Sequence, residues 1–109
     1  MEIKTAVSTL AALAQETRLA IFRLLVEAGR DGESVGRIGE TLKVPGATLS
    51  FHLKELARAG LVTSRQERQF LWYAANADAL RELLSFLYAE CCSRSKAVQP
   101  ESIIIPISM

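Results

Sequence analysis

The sequence predicts a single, mainly α-helical domain that carries one β-hairpin. Three observations support this. Apolar residues recur at helical spacing from Ile3 to Gly60, the period then gives way to the β-branched and aromatic runs "LVTSR" and "FLWYAA", and helical spacing returns beyond Asn76. The chain has 109 residues, 50% of them hydrophobic, which is enough for one compact core and too few for two.

Ile3, Val7, Leu10 and Ala14 mark one face of a first helix over residues 3–14. "TRLAIFRLLVEAG" repeats the pattern as a second helix, which Gly29 stops. After the turn "GRDG", Ser34 is placed to cap a short third helix over residues 35–43, with Val35, Ile38 and Leu42 on one face. Pro45 and Gly46 break the chain. In "ATLSFHLKELARAG", Leu49, Leu53, Leu56 and Ala57 form the stripe of a fourth helix, closed by Gly60. The charged "QERQ" separates the two β runs and predicts the turn of a hairpin. Asn76 or Asp78 then caps a final helix that reaches about Cys92, with Leu80, Leu84, Leu87 and Cys91 along one side. Residues 1–95 are expected to form the domain. Residues 96–109 form a tail, whose apolar "IIIPI" and prolines exclude a helix interior.

A short helix, a tight turn, a second helix with a polar outer face and a hairpin with a basic tip together make the winged helix-turn-helix layout, which reads DNA. At about 100° per residue, Ala47, Phe51, Lys54 and Arg58 lie opposite the Leu49, Leu53 and Leu56 stripe, with Ser50 nearby. Ala47, Thr48, Ser50 and Phe51 are short or flat enough to approach base edges, a thymine methyl or phosphate, whereas Lys54 and Arg58 suit phosphates. Arg65 and Arg68 flank Gln66 and Glu67 at the expected turn, giving a positive tip for the DNA backbone or a minor groove. The 13 Lys and Arg against 12 Asp and Glu leave a net charge of +1, so DNA binding has to come from such local clusters. Taken singly, these four cations read as solvated surface; their place in this element order points to DNA.

The stretches "LAALAQETRLAIFRLL" and "VGRIGETLKVPGATLSFHLKELARAGLVTSRQERQFLWYAA" resemble the ArsR/SmtB family of small dimeric winged-helix repressors that sense metals and metalloids. The likeness covers about residues 8–92, and "TLSFHLKELARAGLV" is its most specific part. It implies that the third and fourth helices form the helix-turn-helix, that the hairpin is the wing, and that the first and last helices build a homodimer interface. The residues bear on the last point independently. Phe86 points away from the stripe of Leu80, Leu83, Leu84, Leu87 and Cys91, so the final helix carries apolar surface on two sides. Such a dimer would read double-stranded operator DNA with an inverted repeat, its half-sites ~10 bp or a multiple apart.

The resemblance also frames the ligand. Many arsenic-sensing members carry thiols in the third helix, where "ESVGRIG" has Ser34 and Gly36 instead. Zinc-sensing members use Asp and His of the last helix, but His52, the only histidine, lies on the fourth, where packing or a phosphate contact suits it better than metal ligation. No zinc is expected, since two thiols and carboxylates fall short of a tetrahedral N/S set. Other arsenic sensors of the family place a Cys-Cys pair in the final helix, as Cys91 and Cys92 stand here. They are the chain's only cysteines, and Arg94 and Lys96 nearby favour their thiolates. Soft thiolates select trivalent arsenic or antimonite. Arsenite forms three bonds and would need a third ligand, whereas a methyl or aryl arsenical needs only two thiols, so the count tilts towards an organoarsenical inducer.

The expectation is an arsenic-responsive repressor, released from its operator when arsenic binds. A redox-sensing repressor of the same fold is the alternative. A thiol enzyme finds no support, because Cys-x-x-Cys is missing and the histidine lies on another helix. A plain DNA-architecture module with inert cysteines, Cys91 being merely a small core residue, is the bland reading. The start, "MEIKTAVSTLAALAQETR", fits neither a signal peptide nor a membrane span, so the cytoplasm is expected. There the thiols stay reduced, and a disulfide between adjacent residues would be strained.

Overall fold

Helices α1 (Ile3–Leu13) and α2 (Glu16–Ala28) meet at a corner where Gln15 caps the second, its Oε1 accepting the Arg18 N–H at 2.9 Å. A 3-10 turn (Gly29–Asp31) leads to β1 (Glu33–Ser34), followed by α3 (Val35–Leu42), α4 (Gly46–Arg58), β2 (Val62–Glu67), β3 (Phe70–Ala75) and α5 (Ala77–Arg94). This computed structural model describes residues 1–94, with side chains described through residue 89. The tail expected over residues 96–109 lies outside the described residues.

The helices and hairpin appear in the expected order, and two caps are as read: Ser34 Oγ accepts the Arg37 N–H at 3.3 Å, and Asn76 Oδ1 accepts the Ala79 N–H at 3.3 Å. The core joins Ile21, Phe22 and Leu25 of α2, Ile38 of α3 and Leu49, Leu53 and Leu56 of α4 to Leu61, Val62 and Tyr73 of the sheet region. Ala57, assigned to the α4 stripe, is instead exposed, because the stripe rotates past it at the last turn.

Two further expectations are corrected. A third strand exists: β1 pairs antiparallel with β3, giving the order β1-β3-β2. With two residues it is too short to show alternation. Gly32 admits it, since at φ 73° a Cβ there would overlap the Tyr73 carbonyl. The hairpin turn is also displaced. Gln66 and Glu67 belong to β2, Glu67 pairs with Phe70, and the loop is Arg68–Gln69, because pairing to the last residue leaves the two-residue connection that hairpins favour.

Helix α1 turns its small residues inward. Ala6, Thr9 and Ala12 are buried, whereas Ile3, Val7 and Leu10 are 70%, 60% and 43% exposed, and Ala14 is exposed as well. The small residues let α1 lie close to its neighbours, and Thr9 satisfies its hydroxyl by donating to the Thr5 carbonyl at 2.9 Å. The apolar stripe therefore faces away from the chain's own core.

Candidate nucleic-acid interface

The turn between α3 and α4 fixes how α4 is presented. Lys43 adopts the left-handed region at φ 56° and ends α3, and the Val44 N–H returns to the Gly39 carbonyl at 3.1 Å. Gly39 permits the close approach, since a Cβ there would stand 3.3 Å from both the Leu49 side chain and the Val44 carbonyl. Pro45 then opens α4 with no side-chain cap, leaving the first-turn N–H groups in the state in which a helix N-terminus takes a phosphate.

Leu49, Leu53 and Leu56 anchor α4 in the core, so Ala47, Thr48, Ser50, Phe51, Lys54 and Arg58 are all exposed on its outer side. Phe51 shows 57% of its surface. Lys54 makes no ion pair among the described residues. Arg58 pairs with Glu55 at 2.7 Å, yet its side chain is 77% exposed, and such a surface pair is cheap to exchange for a phosphate.

The two wing arginines separate. Arg65 stands opposite Trp72 in the ladder, with its guanidinium 5.1 Å from the indole ring, and its Nη1 donates to the Asp31 carbonyl at 2.8 Å. Its Nε lies 3.5 Å from Glu67. Arg65 thus ties the wing to the 3-10 turn. Arg68 occupies the tip at φ 59°, exposed and without an ion pair among the described residues, beside the 54% exposed Phe70. The structure brings the α4 residues together on one face and leaves Arg68, not Arg65, as the free cation of the wing.

His52 is buried at 8% exposure beneath this face. Its ring meets Phe51 edge-on at 5.5 Å, and its Nδ1 lies 3.2 Å from Arg18 Nη1. Arginine only donates, so Nδ1 accepts and the proton sits on Nε2. Burial, and then the Arg18 charge, hold the imidazole pKa below its ordinary value. Arg18 is the residue that sequence reasoning missed. Its partner lies 34 positions away, and no local pattern marks such a pair.

Beside Ile3, Val7 and Leu10 of α1, the final helix shows Leu87 at 44% exposure, while Leu83 is buried and Leu80, Leu84 and Phe86 are half-buried. Cys91 and Cys92 fall within α5, but their side chains lie outside those described.

A helix-turn-helix domain family matches residues 13–65. The transcriptional activator HlyU of Vibrio cholerae is 34% identical over 92 residues, covering 84% of this chain and 82% of that one. The structure of reduced HlyU from the same organism superimposes with a TM-score of 0.62 at 38% identity, over 78% of this chain and 90% of that one. An ArsR-like transcriptional regulator from Rhodococcus sp. RHA1 gives a TM-score of 0.68 at 30% identity, over 79% and 78%. The chain belongs to the ArsR family of winged-helix transcriptional regulators. Among its structural neighbours, a homodimeric winged helix-turn-helix DNA-binding domain of a possible ArsR-family regulator from Mycobacterium bovis gives a TM-score of 0.66 at 28% identity, over 81% of each chain. As an ArsR-family protein this chain is a transcriptional regulator and not an enzyme. Among the described residues no helix is long and apolar enough to cross a membrane.

Proposed function

We propose that this ArsR-family chain is a homodimeric repressor that binds an inverted-repeat operator through α4 and the wing tip and lets go when trivalent arsenic binds Cys91 and Cys92. The observation that carries the DNA part is the outer face of α4, where Ala47, Thr48, Ser50, Phe51, Lys54 and Arg58 are all exposed above a fully buried leucine stripe. The first four suit base edges and phosphate. Lys54, Arg58 and Arg68 suit phosphates, and Arg65 acts by steadying the wing. The outward stripe of α1, with Leu87 of α5, is the surface for the second copy.

The inducer follows from donor chemistry. Two thiolates are soft ligands, and with no third cysteine in the chain they complete the set of an organoarsenical, while arsenite would add hydroxide or a small thiol. Because α5 bears both the thiols and part of the dimer surface, a ligand there changes the spacing of the two recognition helices. By linkage, DNA then weakens arsenic binding by the same factor.

One observation favours a second reading: HlyU, 34% identical, has been solved in a reduced form. By that reading the adjacent thiols answer to oxidation. Fluorescence anisotropy of a labelled inverted-repeat duplex from the chain's own upstream region separates the readings. Methylarsenite is expected to release the protein at lower concentration than arsenite, and the Cys91→Ser, Cys92→Ser double variant is expected to stay bound. Release by peroxide but by neither arsenical would replace arsenic with oxidation. Binding no tighter than to a scrambled duplex would remove the operator reading.

A further inference from the structure

Arg18 makes contacts on three elements. Its backbone N–H closes the α1–α2 corner onto Gln15, its Nε donates to the Ala12 carbonyl at 2.7 Å, and its Nη1 donates to His52 Nδ1 of α4 at 3.2 Å. The Ala12 carbonyl belongs to the last turn of α1, whose carbonyls lack partners within the helix, and a guanidinium there also opposes the negative end of the helix dipole. His52 sits between Phe51, exposed on the outer face, and Leu53, buried in the core. One half-buried cation therefore bridges the helix with the unpartnered apolar stripe and the helix with the DNA-facing side chains.

We infer that the Arg18–His52 contact is a positioning brace that locks the rotation of α4 to α1, so that the dimer geometry set at Ile3, Val7 and Leu10 fixes the separation and pitch of the two recognition helices. The inference rests on the proposed reading of α4 and the dimer surface. Neither residue is assigned a contact with DNA. The brace has two short arms on a planar fork whose donor directions are fixed, so it transmits rotation as well as distance. The rest of the α4 attachment is leucine packing, which is non-directional and tolerates small rotations. Without the brace, each protomer should keep its fold while the two recognition helices lose their common setting; His52→Leu does this without removing a cation, and Arg18→Met removes one. That separates the brace from a residue that merely adds stability.

The test measures spacing discrimination. The chain is titrated by anisotropy against three duplexes: the natural inverted repeat, the same repeat with one base pair added between the half-sites, and a scrambled sequence. The variants are Arg18→Met and His52→Leu, which remove the contact, and His52→Asn, whose Oδ1 replaces the Nδ1 acceptor. Arg18→Met and His52→Leu are expected to shrink the preference for natural over altered spacing by about tenfold, the scale of one charge-assisted hydrogen bond. Their affinity for the scrambled duplex should hold, and His52→Asn should retain most of the wild-type preference. Thermal unfolding establishes that each variant is folded. Should His52→Leu not fold, Arg18→Met and the His52→Asn rescue still decide. Undiminished spacing preference in folded Arg18→Met would overturn the brace, as would equal weakening on all three duplexes. If the wild-type chain itself fails to distinguish the repeat from the scrambled duplex, the operator reading falls first and takes the brace with it.

Discussion

Helices α1 and α4 are similar on paper, each with a row of large apolar residues at helical spacing, yet in the folded chain the rows point opposite ways. Leu49, Leu53 and Leu56 of α4 are at most 1% exposed, whereas Ile3, Val7 and Leu10 of α1 are exposed and its small residues Ala6 and Ala12 face inward. Periodicity shows that a helix has an apolar face. It does not say whether the partner for that face is the same chain or another copy. Here α4 spends its stripe on being held, which leaves its polar face exposed for the proposed DNA contact, and α1 leaves its stripe exposed for the proposed dimer.

The strongest break of this contrast lies in α4. Leu53→Ala removes a side chain that is 1% exposed and is expected to cost about 2–5 kcal/mol of stability, enough to threaten the fold of a small domain. Urea denaturation followed by circular dichroism would measure it, and a loss below about 1 kcal/mol would mean that the α4 stripe is not the anchor described. A smaller effect, on a different quantity, is expected from Val7→Glu in α1. At 60% exposure the new carboxylate stays solvated in the lone protomer, so its stability should move by no more than about 0.5 kcal/mol. In the proposed dimer the same charge would be buried without a partner, weakening association by roughly tenfold or more. Sedimentation equilibrium over a concentration series reads this directly, and an unchanged dimer would place the interface elsewhere.

Most of the layout was legible in the sequence, and what was not has specific physical causes. Helix order, the Ser34 and Asn76 caps, the Pro45 break and the exposed side of α4 all follow from local rules of spacing and capping. Spacing alone does not set the facing of α1, because large apolar residues normally win the core and here small ones did, by allowing close approach; only the family resemblance pointed this helix at a partner. Strand β1 is two residues long, and its pairing depends on Gly32 passing under the Tyr73 carbonyl, a contact made 41 positions downstream. Arg65 and Arg68 were indistinguishable as a flanking pair. Only the ladder register, which sets Arg65 against Trp72 and Arg68 at the turn, separates a wing-fixing cation from a free one. The Arg18–His52 contact joins α2 to α4 across the fold and lies beyond any window-based reading.

That contact ties the two contrasted helices together and carries the smallest predicted effect, a pH dependence. Burial and the Arg18 charge depress the His52 pKa, so the folded chain binds this proton only below the pH at which the unfolded chain does, about 6.5. Between those two values the unfolded state holds more protons than the folded one. Stability is therefore fully present above about pH 6.5, falls as the pH drops below it, and stops changing from this source once the folded pKa has been passed. Protonated Nδ1 would turn a donor towards Arg18, two cations facing each other where one acceptor had been. Urea midpoints at pH 7.5 and 5.5 are expected to differ more in the wild-type chain than in His52→Asn, which keeps the acceptor and cannot take the proton. Carboxylates titrate mainly below this window and are common to both proteins, so they cancel in the comparison. Equal pH dependence in the two would mean that His52 titrates alike in the folded and unfolded chains.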